Sequence, residues 1–374
     1  RPNIFFPYNL WPSNFSLLLS LPRYGRFTMA KQSYKFCFGP WNISEGQDPY
    51  GPPTRAPQSF DWKLDQLKKL GFDAMMFHDD DAVPDIDGKS CQQLRKEAKA
   101  LKRRLDDSGV AAEMVAPRLW FSPMTIDGAY TSNDPKARKY AIERSLRCID
   151  IAGYLGTDLI VLWLAREGSY MREAKNARRC VEHLVAAIDK MLAHNKRIRI
   201  AIEPKPNEPM DVAYIPTIGH ALALAQLTAD PRRVGCLIES AHAILAGLDP
   251  ADEIDFAMSF GKLWSLHLND QNGLKFDQDK PFASANLRVA FNQIRALERN
   301  GYGKHGEYVC FDVHPFRPTK VQHWLAHLEN SRRTFLLLLQ KARTFNEKQA
   351  AALVADRNLA ALDQMVLEHL MKSK

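Results

Sequence analysis

Eight short apolar runs recur along this chain, at 34–39, 73–77, 111–116, 158–163, 198–202, 234–238, 263–268 and 308–311. Helical patterns separate them, clearest at 61–70, 90–108, 134–155, 174–195, 217–229, 250–261 and 284–300. Eight strand–helix units in roughly 285 residues match the size and rhythm of a closed barrel of parallel strands. An open doubly wound sheet is the alternative, but its fingerprint, a GxGxxG turn from a strand into a helix, is missing. The expected fold is α/β, a (β/α)8 TIM barrel with a C-terminal helical arm.

The barrel is expected over residues 29–316. Residues 1–28 hold Pro, Phe, Asn and Ser without periodicity and read as a disordered or non-native extension before Met29. From 317 to 374 the pattern is helical, with Leu336 to Leu339 its most apolar part. This arm is too small for a core of its own and is expected to pack on the barrel or on a neighbouring subunit.

The formal charge of +8 lies at the ends. Residues 1–33 carry four basic groups and no acid, and residues 317–374 carry ten basic groups against five acids. The body between them is close to neutral, which argues against a nucleic-acid footprint across the main domain. No apolar run approaches the roughly 18 to 20 residues of a membrane span. The six cysteines form no CxxC pair. They read as reduced thiols in a cytoplasmic protein.

In a barrel of this kind the chemistry sits at the C-terminal ends of the strands. Here those ends read Trp41, His78, Trp120, Trp163, Glu203, Glu239, His267 and Asp312. Glu203 and Lys205, two residues apart at a strand end, point to the same side, and Pro204 and Pro206 stop the strand behind them. Glu239 and His242 converge if one helical turn joins them. Asp277 and Asp279 add two acids on one side of an extended loop. Any one of these acids alone reads as a solvated surface group. Five carboxylates facing one barrel mouth would repel and titrate upward unless neutralised. Two divalent cations are the expected answer, with Glu239 placed to bridge them. Oxygen ligands with one or two imidazoles suit Mg2+, Mn2+ or Co2+ rather than structural zinc. His78 beside its aspartates reads as an acid/base unit. Lys205 reads as a stabiliser of developing oxygen charge. Trp41, Trp120 and Trp163 read as the walls of a dry sugar pocket.

These residues lie in motifs that resemble the D-xylose isomerase family. The motifs are FCFGPW at 36–41, DPYG at 48–51, FHDDD at 77–81, GAYTSND at 128–134 and WLAREG at 163–168. Further on come IEPKPNEP at 202–209, GHA at 219–221 and KFDQD at 275–279. The resemblance spans roughly Lys35 to Pro318. It implies a two-metal aldose–ketose isomerase, working by a metal-assisted hydride shift between C1 and C2 of a small sugar. His78 with Asp81 would open the sugar ring. Glu203, Glu239 and Asp312 would hold the first metal, and Glu239, His242, Asp277 and Asp279 the second. Lys205 would bind terminal substrate oxygens.

Three departures from the family stand out. His267 falls where the family places a fourth carboxylate on the first metal, and related sugar epimerases use histidine in such a place. The swap removes a negative charge and favours Mn2+ or Co2+ over Mg2+. Trp120 stands where the family has phenylalanine. Tyr50 replaces a phenylalanine that reaches into the neighbouring subunit's pocket. The C-terminal arm is also shorter than the family's usual arm, and the expected homo-oligomer is a dimer or a tetramer. The alternatives are an epimerase or isomerase for a different sugar on the same barrel, or a weakly active metal-binding paralogue.

Overall fold

The computed structural model describes residues 33–372, so the segment expected over 1–28 lies outside the described residues. Eight parallel strands form the barrel: β1 (Lys35–Phe38), β2 (Ala74–His78), β3 (Ala111–Ala116), β4 (Leu159–Trp163), β5 (Arg199–Glu203), β6 (Val234–Glu239), β7 (Leu263–Leu268) and β8 (Tyr308–Phe311). Each pairs with its sequence neighbours, and β1 closes the ring on β8, with Cys37 opposite Cys310. Such strands are buried on both faces, so they read as short unbroken apolar runs.

Seven helices of nine or more residues link the strands: α1 (Phe60–Lys69), α2 (Cys91–Ser108), α3 (Pro135–Leu155), α4 (Ala177–His194), α5 (Ile218–Gln226), α6 (Pro250–Ser259) and α7 (Leu287–Asn300). Their ends follow local chemistry. Ser90 and Gln93 form a reciprocal capping box on α2. Gly109 ends the same helix at φ 67°, a left-handed conformation that a side chain disfavours.

The core has two layers. The larger lies between strands and helices, where Leu67, Ile149, Ile188, Ile254 and Phe291 are fully or almost fully buried. The smaller fills the barrel with Cys37, Ala74, Met76, Met114, Val161, Ala201, Leu237 and Cys310. Above it, toward the C-terminal strand ends, the inward positions turn polar.

After β8 come α8 (Ala326–Thr344), α9 (Glu347–Ala355) and α10 (Leu359–Met371). Phe335 of α8 is fully buried and meets the rings of Tyr34, Phe36, Phe282 and Phe311. Arg295 of α7 reaches Glu347 at 2.6 Å, and Arg288 pairs with Asp363. Among the described residues no helix is long and apolar enough to cross a membrane.

Candidate metal centre and active site

Strand alternation aims the polar layer. Glu203 ends β5 and Glu239 ends β6, both buried. A single turn, Ser240–Leu245, follows Glu239 and swings His242 back over it, with Nε2 3.2 Å from Glu239 Oε1. The same nitrogen lies 3.1 Å from Asp277 Oδ2, while His242 Nδ1 faces Glu203 Oε1 at 3.5 Å. On the other side His267 Nδ1 stands 3.9 Å from Glu239 Oε2 and 3.7 Å from Asp312 Oδ2. Two groups result, Glu203–Glu239–His267 and Glu239–His242–Asp277. Within each, one ligand atom per residue lies within 4.8 Å of the others. Glu239 belongs to both.

The electrostatics are those of a site short of positive charge. Burial raises the pKa of Glu239 well above its usual range, and the charges of Asp277, Asp279, Asp312 and Glu203 add to the effect. Burial and Asp277 push Asp279 up to about 6 against the pull of His314. Burial keeps the His267 imidazole low despite Glu203 and Asp312, and a neutral ring is the form that can ligate. Both ring nitrogens of His267, Nδ1 of His242 and Oδ1 of Asp277 are buried without hydrogen-bond partners. Buried polar atoms are normally paired, so unpaired atoms converging on shared carboxylates fit divalent cations.

Asp279 and Asp312 are held differently. Asp279, at φ 44°, contacts His314 Nδ1 through Oδ2 at 2.9 Å and accepts from the Asn269 side chain through Oδ1 at 3.1 Å, so both of its oxygens are engaged. Burial opposes charge on His314, but Asp279 carries its pKa up to about 9. Asp312 accepts from Trp41 Nε1 at 2.9 Å and from the Asn42 amide at 2.6 Å, leaving its other oxygen toward His267.

Lys205 lies 2.8 Å from Asp277 and 3.3 Å from Glu208, whose other contact is the Asp277 amide at 2.9 Å. Burial works against its charge, but the acids, Asp277 foremost, outweigh burial and keep it protonated. Its ammonium also sits 5.3 Å from the centre of the Trp163 ring. From there the wall is continuous. Trp163 meets Trp120 at 4.4 Å, Trp120 meets His78 at 5.2 Å, and His78 meets Trp41 at 4.2 Å between ring centres.

His78 closes β2, and its Nδ1 contacts Asp81 Oδ2 at 2.8 Å. Burial would raise the Asp81 carboxyl, but the His78 hydrogen bond, with His78 and Arg118 charge, holds it at about 2. The other two aspartates have a different task. Arg144 of α3 grips the fully buried Asp79 with two bonds, at 2.8 and 2.9 Å, and pins the turn from beneath.

Tyr50 is the one expected site residue far from this group. It is 97% exposed on the turn between Asp48 and Gly51, outside the pocket of its own chain.

Several participants were missed: Arg118, Asn269, His314, Asn42 and Glu167. Arg118 Nη2 lies 2.9 Å from Asp81 and 2.5 Å from His78 Nδ1. Three of the five were within reach, because the two-residue period continues past the strand ends, from Ala116 to Arg118, His267 to Asn269 and Asp312 to His314. Glu167 unites two motifs that look separate in sequence. It accepts from the amides of Ala129, Tyr130 and Thr131 and so locks 128–134 onto 163–168.

Clustered acids and imidazoles at the C-terminal rim of a closed (β/α)8 barrel lie where barrels of this kind carry their active sites, and they could hold cations there. The chain belongs to the xylose isomerase-like TIM barrel family, whose pattern matches residues 64–323. It is 34% identical over 324 residues to a protein named xylose isomerase from Thermus thermophilus, covering 85% of this chain and 82% of the relative. Among solved structures it resembles a D-tagatose 3-epimerase-like protein, with TM-score 0.60 and 17% identity over 82% of this chain and 99% of that one. An L-ribulose 3-epimerase matches with TM-score 0.59 and 17% identity over 86% and 98% of the two chains. At such identities these two similarities speak to the fold alone.

Proposed function

We propose that the protein is an aldose–ketose isomerase that interconverts D-xylose and D-xylulose, and also D-glucose and D-fructose. The observation that carries this reading is the pair of acid–imidazole groups sharing Glu239, set beside the tryptophan-walled His78–Asp81 pair. The relative from Thermus thermophilus, named a xylose isomerase, supports the same reading.

Glu203, Glu239, His267 and Asp312 would hold one divalent cation, and Glu239, His242, Asp277 and Asp279 a second. When bound, such ions supply Lewis-acid polarisation of two adjacent sugar oxygens, which favours hydride transfer between C1 and C2. The chain's own groups do the rest. Asp81 orients His78 through Nδ1 and leaves Nε2 for the substrate. There the imidazole takes the anomeric hydroxyl proton and returns it to the ring oxygen as the C1–O5 bond breaks. Lys205 donates to the carbonyl oxygen of the open chain and stabilises the charge that develops on it. Trp41, Trp120 and Trp163 cover the apolar face of the sugar and exclude water. The same reading makes the chain a homo-oligomer, dimer or tetramer, with Tyr50 turned toward a neighbour's pocket.

His267 favours a second reading, a ketose epimerase on the same barrel. One panel separates the two. The protein is stripped with EDTA, reloaded with Mg2+, Mn2+ or Co2+, and given D-xylose, D-glucose and several ketoses. Aldose–ketose exchange, faster with Mn2+ or Co2+ than with Mg2+, is expected. Exchange among ketoses alone would assign the epimerase, and a strict Mg2+ preference would contradict the role given to His267.

A further inference from the structure

One side-chain layer below the rim, the barrel holds a second group with different chemistry. Cys37 of β1 and Cys310 of β8 are register partners on adjacent parallel strands, fully buried inside the barrel. Inward positions alternate along a strand, so Cys310 lies one step beneath Asp312, and Ser265 one step beneath His267. Glu113 joins them from across the barrel through an irregularity in β3. Met75 pairs with Ala112 and Phe77 with Val115, so Glu113 and Met114 together oppose Met76. Regular alternation would send one of the two out toward the helices. The bulge turns both inward.

A buried carboxylate is costly unless it has a partner. Glu113 Oε2 has no hydrogen-bond partner. Burial pushes its pKa up to about 7, against the pull of the Ser265 hydroxyl and the Arg199 charge. One atom from each of Cys37, Glu113 and Cys310 lies within 4.8 Å of the other two. Ser265 Oγ, 4.0 Å from Cys310 Sγ, offers a fourth donor.

We propose that Cys37, Cys310 and Glu113 form a third cation site, at the floor of the barrel, for a thiophilic divalent ion of the zinc class. Two sulfurs and one carboxylate oxygen, with Ser265 or a water fourth, make a small tetrahedral donor set. Thiolates select zinc-like ions over Mg2+, whereas the rim offers only oxygen and nitrogen. Binding expels both thiol protons. It leaves two thiolates and a carboxylate facing a doubly charged ion, with Arg199 as the nearby cation. An open depression of about 620 Å³ at the N-terminal strand ends is lined by Glu113, Arg199, Trp264 and Tyr308, so of the three proposed ligands Glu113 is the one that borders it. The site does not depend on the isomerase reading, because its readout is sulfur ligation and not turnover.

Co2+ is the probe. The full-length protein, reduced with a phosphine, is titrated with Co2+ while the thiolate-to-cobalt charge-transfer band in the near ultraviolet is followed. One ion per chain should give the band. Stoichiometric Zn2+ should bleach it, and a large excess of Mg2+ should leave it. Cys37→Ser and Cys310→Ser should each remove about half or more of its intensity, while Cys91→Ser, at an exposed thiol, should not change it. Glu113→Gln keeps both sulfurs and should weaken Co2+ at this site by at least about tenfold. Absence of the band, or its survival in both Cys37→Ser and Cys310→Ser, overturns the proposal. If the cysteine variants fail to fold, unchanged Co2+ affinity in Glu113→Gln overturns it alone.

Discussion

Lys205 does two things at once. It neutralises Asp277 at 2.8 Å, and it presents an ammonium to the pocket beside Trp163. A methionine of similar length keeps the packing and removes the charge. Lys205→Met should lower turnover by roughly 10²- to 10³-fold, the usual effect of deleting one group that stabilises developing oxygen charge. Calorimetric Mn2+ affinity should stay within a few-fold, since no proposed ligand is lost. Turnover close to that of the unsubstituted protein would refute the role given to this residue.

Two elements hold the site from outside it. The first is α3, whose Arg144 binds Asp79 in the turn that carries His78 and Asp81. Removing one partner of a buried pair strands the other. Arg144→Met should therefore cost about 3–5 kcal/mol in chemical denaturation. Adding Asp79→Asn should cost much less than the sum of the two single changes; simple additivity would mean that the pair is not coupled. The second is α8, where His327 Nε2 donates to the Asn42 carbonyl at 2.8 Å, and the Asn42 amide in turn holds Asp312. Burial drives the His327 imidazole down to about 4, with the Asn42 bond opposing. An unfolded histidine titrates near 6.5. Below that pH the unfolded chain takes a proton that the folded one refuses, so stability falls as pH drops from 6.5 toward 4. The advantage of the native protein over His327→Gln should shrink by about 1.5 kcal/mol between pH 6.5 and 5, read from paired denaturation curves. A constant difference would place the charge change elsewhere.

Across the whole molecule, what could be read beforehand was what hydrophobic pattern encodes. The runs at 111–116, 263–268 and 308–311 are the strands themselves, because a barrel strand is apolar on both faces and ends where polar or turn residues begin. Glu203, Glu239 and Asp312 were legible because each stands at the end of such a run. Arg118, Asn269 and His314 continue the same alternation and were within its reach, but they were passed over because hydrophobicity no longer marks the alternation beyond a strand end. Glu113 was hidden by a bulge, which shifts the inward set without changing composition. The helix at 326–344 shows its apolar face in sequence, but nothing there says that Tyr34, Phe36 and Phe311 receive it. The central claim is likewise one of assembly: segments far apart in the chain converge on a pair of cations at one end of the barrel. Anomalous scattering from a crystal soaked in Mn2+ tests it directly. The account predicts two peaks per chain flanking the Glu239 carboxylate, one also near Glu203, His267 and Asp312, the other near His242, Asp277 and Asp279. A map with no Mn2+ within ligand distance of Glu239 would contradict it.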